Sequence, residues 1–176
     1  MNIKVATKED ACDIKNLINE MYKSEYEKRQ ICEIELAIRN KDEIYTLAYD
    51  GDNIIGFAGA TTDSKEYLNV TNEVTTVIEY IYVKENYRGL IVAFNLLKTL
   101  ISELLNNQIS SALMQVQTYN KQRFLHYALC DKNIIKSMQC EWEPEYEDQI
   151  LLIKDLGSIV NITLKDFIRK VEKYSK

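Results

Sequence analysis

The chain has 176 residues, 46% of them hydrophobic and 28% charged, the make-up of one globular domain with at most a small appendage; disordered and fibrous chains are excluded. It carries five glycines and one proline where about 12 and about 9 are usual, which excludes a loop-dominated protein and makes each glycine worth reading singly. A net charge of −5 without an extended Lys/Arg block argues against nucleic acid as partner. IKVA (3–6) reads as a first strand, and Thr7 with Asp10 as a capping box at a helix start. Ala11, Ile14, Leu17, Ile18, Met21 and Tyr22 then recur at helical spacing and predict a helix to about Tyr26. A second helix is expected over 30–40, with Ile31, Ile34 and Ile38 on one face.

Residues 43–50 and 53–61 are β-rich runs joined at Asp50-Gly51, a hairpin signal. Residues 62–73 read as a polar loop. The β-branched and aromatic run 73–83 predicts a central strand, and Leu90 to Leu105, apolar nearly all round, a buried helix. A strand over 110–118, a helix over 121–130, strands near 133–141 and 148–154 and a last helix capped by Thr163 complete the chain. The expected class is α/β (α+β), a mixed sheet with helices on both faces.

Cys12, Cys32, Cys130 and Cys140 lack paired spacing and are accompanied by a single histidine, His126, so no metal site is expected. Reduced and mostly buried thiols are the simpler reading. No apolar run approaches membrane-spanning length and the N-terminus has no apolar core, which points to a cytoplasmic protein without a membrane partner.

The most informative segment is IEYIYVKENYRGLIVAF (78–94), a strand leading through Arg88 and Gly89 into the buried helix. The first turn of such a helix leaves amides without partners and carries a partial positive charge. No acid lies between Gly89 and Ser102, and Arg88 adds a cation, so the helix start suits a phosphate or pyrophosphate. The alternative is a turn in which Gly89 only redirects the chain and Arg88 is solvated.

YIYVKENYRGLIVAFNLL resembles motif A of the GNAT superfamily of N-acetyltransferases, where a strand leads to R/Q-x-x-G-x-G/A at a helix start. Arg88 falls on its first position and Ala93 on its last, while the motif's first glycine falls on Ile91. Asn120 followed by His126-Tyr127 is similar to a second family pattern, although Cys130-Asp131 replaces its Gly-Phe ending. The resemblance implies a mostly antiparallel GNAT-like sheet over a domain of 1–156, with 157–176 as a C-terminal helical extension. It implies acetyl-CoA as co-substrate, held by Ile81, Tyr82, Val83, Arg88, Gly89, Leu90, Ile91, Val92, Ala93, Asn120 and Tyr127. By the same likeness Tyr127 is the general acid for the CoA thiolate, and a phenol with a pKa near 10 can give that proton at neutral pH.

Glu79 is the first candidate for the base. IEYIYV resembles the L-E-G-I-Y-V strand of aminoglycoside-type acetyltransferases, where the Glu faces the acceptor; the other reading is a solvent-facing strand residue. Alternation puts Glu79, Ile81 and Val83 on one face and Ile78, Tyr80 and Tyr82 on the other. His126 lies on a different side of its helix from Tyr127 and is a weaker candidate. The resemblance assigns acceptor specificity to 24–35 and to the acidic-aromatic stretch 140–149, which carries Glu141, Trp142, Glu143, Glu145, Tyr146, Glu147 and Asp148. That composition suits a small-molecule amine or a peptide, or else a solvated hairpin. The apolar stripe of the last helix, Leu164, Phe167, Ile168 and Val171, can pack on its own domain or on the second subunit of a homodimer. The expected function is acetyl transfer to a primary amine; the alternative is a GNAT-like binding or regulatory module without catalysis.

Overall fold

A computed structural model of the protein describes residues 1–23, 27–64, 74–117, 128, 134–139 and 147–175. In chain order these form β1 (Asn2–Val5), α1 (Ala11–Tyr22), α2 (Ile31–Asn40), β2 (Glu43–Asp50), β3 (Asn53–Thr61), β4 (Val77–Val83) and α3 (Leu90–Asn106). There follow β5 (Ala112–Gln117), β6 (Ile134–Gln139), β7 (Glu147–Ile153), α4 (Leu156–Val160) and α5 (Leu164–Ser175). Single 3-10 turns stand at Lys8–Asp10 and Glu85–Tyr87. The strand order is β1-β2-β3-β4-β5-β7-β6, mixed and mostly antiparallel, as expected. The chain divides into two compact units, one of Met1–Thr62 with Tyr80–Glu103, the other of Asp63–Glu79 with Leu104–Lys176.

In the first unit β1, β2 and β3 pair antiparallel in succession. Side chains alternate between faces along a strand. Tyr45, Leu47 and Phe57 therefore meet Ala11, Ile14, Leu17, Ile18 and Ile34 of α1 and α2 on one face. On the other, the hydroxyl of fully buried Thr46 donates to the Leu96 carbonyl of α3 at 3.1 Å. Helices thus cover both faces, and Phe94, Leu96, Leu97, Leu100 and Ile101 of α3 are buried. The β2–β3 turn is the expected one, with Gly51 at φ 59°. The register shifts between Ala48 and Tyr49, so that Ala48 faces Gly56 and Tyr49 faces Ile54, leaving Ile55 as the extra residue of a bulge. Its carbonyl accepts the Lys84 amide at 2.8 Å, one residue past the end of β4.

Two of the few glycines are spent on this pairing. A side chain on Gly56 would begin 2.5 Å from the Tyr82 carbonyl oxygen and 3.1 Å from the Val83 Cα. One on Gly59 would begin 2.5 Å from two ring carbons of Tyr45 and 3.1 Å from the Tyr80 ring. Without those side chains, Tyr45, Phe57, Tyr80 and Tyr82 pack as an aromatic layer, Tyr45 stacked on Tyr80 and the other pairs tilted, with neighbouring centroids 5.7–6.5 Å apart.

In the second unit the start of β4 pairs parallel with β5 through Val77↔Leu113 and Ile78↔Met114. β5 and β6 each pair antiparallel with β7. Val77, Leu113 and Ile150 form a buried cluster flanked by Val74 and Leu152. Phe167 and Val171 of α5 are buried within this chain itself, so the tail stripe packs on its own chain.

Several expectations are corrected. α1 ends at Tyr22, not near Tyr26, because Lys23 turns left-handed (φ 53°) and its amide closes on Asn19 and Glu20 carbonyls; Tyr22 is exposed. Ile31 is exposed rather than packed beside Ile34, since it opens the first turn of α2. β4 begins at Val77, four residues later than the β-branched run suggests, and α4, only five residues long, is too short to show a period. Cys12 and Cys32 are free and exposed, lying off the apolar stripes of their helices, while Cys130 and Cys140 fall outside the described residues. Of the helix expected over 121–130 only Ala128 is described, helical and fully buried. Among the described residues no helix is long and apolar enough to cross a membrane, and no group of His, Cys, Asp and Glu can hold a metal ion.

The close approach at Gly56 sets a stability test. Gly56→Ala lands on backbone and should cost about 2 kcal/mol or more, whereas Gly89→Ala, with nothing among the described residues within 4 Å of the added carbon, should stay within about 0.5 kcal/mol. Denaturant unfolding of the two variants measures this; equal midpoints would show that β3 and β4 are not held so close.

Candidate active site

α3 begins two residues after Arg88. The helix runs for 17 residues, and its first turn carries no acid. Its first internal bond runs from the Ala93 amide to the Gly89 carbonyl at 3.5 Å, so the amides of Leu90, Ile91 and Val92 precede the helical ladder. Arg88 and Gly89 are exposed, and among the described residues nothing stands within 4 Å of where a Cβ on Gly89 would lie. Ile91 is 52% exposed, so the side chain that replaces the motif's glycine reaches into solvent and not into the core. Amides ahead of the helical ladder, a neighbouring guanidinium and, among the described residues, open space at Gly89 fit an anionic group of phosphate type.

The strand before it divides its faces as expected. Tyr80 and Tyr82 pack against the α1–α2 core, while Glu79 is exposed and Ile81 and Val83 are half-buried. Tyr82 thereby turns its side chain away from any ligand on the Ile81 and Val83 face, and only its backbone remains available there. Its hydroxyl donates to Glu20 Oε1 at 3.0 Å, and the Lys84 ammonium stands 3.4 Å from Glu20 Oε2. Partial burial first, and then donation to the Glu20 carboxylate, push the Tyr82 phenol up to about 12.

Further from α3, residues 27–30 are fastened to β2 and α1. Arg29 donates to Glu27 through Nε (3.0 Å) and Nη2 (2.8 Å), and to Glu43 through Nη1 at 2.5 Å. Tyr45 donates to the other Glu43 oxygen at 3.1 Å, Lys15 to the Arg29 carbonyl at 2.7 Å, and the Glu27 amide to Asn19 Oδ1 at 2.8 Å. Burial works against the charge on Glu27, yet its bonds from Arg29 hold the carboxyl below its ordinary range. Burial first, and then the nearby Glu43 charge, raise Tyr45 well above an ordinary phenol.

Of the residues singled out from the sequence, Ile81, Tyr82, Val83, Arg88, Gly89, Leu90, Ile91, Val92 and Ala93 lie in the first unit along one continuous strand–turn–helix. Glu79 belongs to the second unit. Asn120, His126 and Tyr127 lie outside the described residues, as do 24–26 and 140–146 of the expected acceptor segments. Sequence reasoning missed Glu20 and Lys84, although an acid in the last turn of a helix, where the dipole disfavours it, is a legible oddity.

Both tyrosines make alkaline stability predictable. A phenol raised on folding contributes stability that is complete below the unfolded value near pH 10 and is lost as pH rises through the folded value. Wild-type protein should therefore lose stability from about pH 10 upward, and Tyr82→Phe should remove the tyrosinate absorbance step near 12. A Tyr82 step at pH 10 would mean that the Glu20 contact does not form in solution.

The family model for the acetyltransferase (GNAT) family matches residues 10–127, more than half of the chain and inclusive of the whole strand–turn–helix. No curated protein matches the sequence. Among solved structures, an N-acetyltransferase from Staphylococcus aureus Mu50 is similar with TM-score 0.64 at 19% identity, over 89% of this chain and 99% of that one. Salmonella typhimurium yncA, solved with its cofactor acetyl-CoA, gives TM-score 0.65 at 13% identity over 93% and 95%. Arabidopsis thaliana Naa50 in complex with the bisubstrate analogue CoA-Ac-MVNAL gives 0.63 at 17% identity over 86% and 98%. At such identities the likeness establishes the fold, and the match across motif A establishes descent: the chain belongs to the GNAT family of acetyltransferases.

Proposed function

We propose that the protein is an acetyl-CoA-dependent N-acetyltransferase that modifies a primary amine of a small cationic molecule or a peptide by direct transfer in a ternary complex. The observation that carries this reading is the start of α3, where acid-free amides follow Arg88 and open space at Gly89 in a chain of this family. The neighbours solved with acetyl-CoA and with a CoA–peptide analogue support both the co-substrate and the class of acceptor.

Acetyl-CoA, when bound, supplies a thioester carbonyl open to attack by an amine. The amides of Leu90, Ile91 and Val92 and the Arg88 guanidinium would hold its phosphates, and the Ile91 side chain, directed to solvent, leaves those amides accessible. The backbone of Ile81, Tyr82 and Val83, at the end of β4, would order the pantetheine arm, and Asn120 would add a polar contact. Glu79, exposed on β4, would take the proton of the acceptor ammonium directly or through water. Tyr127 would return a proton to the departing sulfur. The catalytic domain is 1–156, with 157–176 as an extension folded against the same chain.

Titration with acetyl-CoA tests the reading. At a hundredfold excess over Kd the protein should gain about 2.7 kcal/mol of stability, and an amine panel should release free thiol. Arg88→Ala should weaken binding about tenfold, and Tyr127→Phe should lower turnover while leaving binding largely intact. No thermal shift at millimolar acetyl-CoA would overturn the reading, and a shift without thiol release would make the protein a binding module.

A further inference from the structure

We propose that Glu20 of α1 is a positioning residue for the acetyl-CoA phosphate site, acting by fastening the turn Lys84–Gly89 that sets where α3 begins. The inference rests on the function proposed above. Three bonds meet at Lys84. Its amide donates to the bulge carbonyl of Ile55 at 2.8 Å, its carbonyl accepts the Tyr87 amide at 2.9 Å, and its ammonium pairs with Glu20 at 3.4 Å. The other Glu20 oxygen accepts the Tyr82 hydroxyl at 3.0 Å, so one carboxylate grips β4 and the first residue after it. From there the chain makes a single 3-10 turn, closed by Arg88 donating to the Glu85 carbonyl at 3.3 Å, and α3 begins two residues later. Any slack at Lys84 is passed through five residues to the amides that would face phosphate.

Local physics does not account for Glu20. It stands in the last turn of α1, which has no basic residue, so the helix dipole opposes its charge. An acid kept against a local preference points to a distant partner, and Tyr82, 62 residues away, is that partner. The pairing of the same carboxylate with Lys84, whose carbonyl opens the 3-10 turn, places the Glu20 contact beside the turn itself.

The sign of the effect separates positioning from charge. Removing a carboxylate near an anion site should, by Coulomb attraction alone, tighten phosphate binding. Loosening the turn should weaken it. Calorimetric Kd values for acetyl-CoA should therefore rise about three- to tenfold in Glu20→Ala and in Tyr82→Phe, with Glu20→Gln, which keeps an acceptor oxygen for the phenol, in between. The double variant Glu20→Ala/Tyr82→Phe should be no weaker than Glu20→Ala alone. S-acetylpantetheine, which has the thioester but no pyrophosphate, should be used by Glu20→Ala as well as by wild type. An unchanged or lower Kd for acetyl-CoA in Glu20→Ala, or an equal loss with S-acetylpantetheine, would overturn the assignment. Should Glu20→Ala fail to fold, Glu20→Gln and Tyr82→Phe make the same comparison. Wild-type protein that binds no acetyl-CoA would defeat the functional reading itself, whereas wild type and variants that bind alike would defeat the role of Glu20 alone.

Discussion

Backbone lies against backbone where β3 meets the end of β4, and the arrangement of the first unit follows from that contact. The Tyr82 carbonyl and the Val83 Cα occupy the space into which any side chain at Gly56 would grow. Three residues on, Gly59 leaves room for the Tyr45 and Tyr80 rings, and between the two glycines Phe57 reaches the α1–α2 core. The bulge at Ile55 then turns a carbonyl outward from the β2–β3 ladder to meet Lys84. A chain with so few glycines thus uses two of them to bring β4 close and to fix where it stops.

α1 does the complementary work with polar groups. Its apolar stripe is buried, and three other side chains reach elsewhere: Lys15 to the Arg29 carbonyl, Asn19 to the Glu27 amide, and Glu20 to Tyr82 and Lys84. The first two hold the stretch ahead of α2, the third the end of β4. Arg29 adds a fork between two carboxylates whose side chains are only 7% and 12% exposed. Either acid alone would be costly to bury; together around one guanidinium they are mutually satisfied. The helix therefore joins the stretch ahead of α2 to the strand that leads into α3.

What was legible in the sequence and what was not follow from the range of the forces involved. Local signals sufficed where one turn or one period decides the outcome. Thr7 with Asp10, Asp50-Gly51 and Thr163 stand where their chemistry requires, with Lys4 added to the Asp10 carboxylate at 2.8 Å. The faces of β4 were readable because alternation is strict over Tyr80, Tyr82 and their neighbours. Hidden from such reading were interactions that join residues far apart in the chain, such as Glu20 with Tyr82 or Arg29 with Glu43. The start of β4 was also hidden, since Val74, Thr75 and Thr76 carry β-forming side chains without joining the strand. Motif A is readable even though Ile91 departs from it, because the character of that segment comes from the amides at the start of an acid-free helix and not from its side chains. The reverse holds for Glu79: its exposure on β4 agrees with a base, but a role in proton transfer depends on partners outside the reach of strand alternation.

The buried hydroxyl of Thr46 has a consequence for a helix end it never touches. Its bond to the Leu96 carbonyl lies nearly two turns inside α3. Sliding the helix along its axis by one residue, a rise of about 1.5 Å, would strand that hydroxyl in an apolar interior at a cost of about 1–3 kcal/mol. Thr46 is thus a longitudinal stop. It fixes the axial coordinate of every amide in the helix, including the three at its mouth, from a point that solvent never reaches.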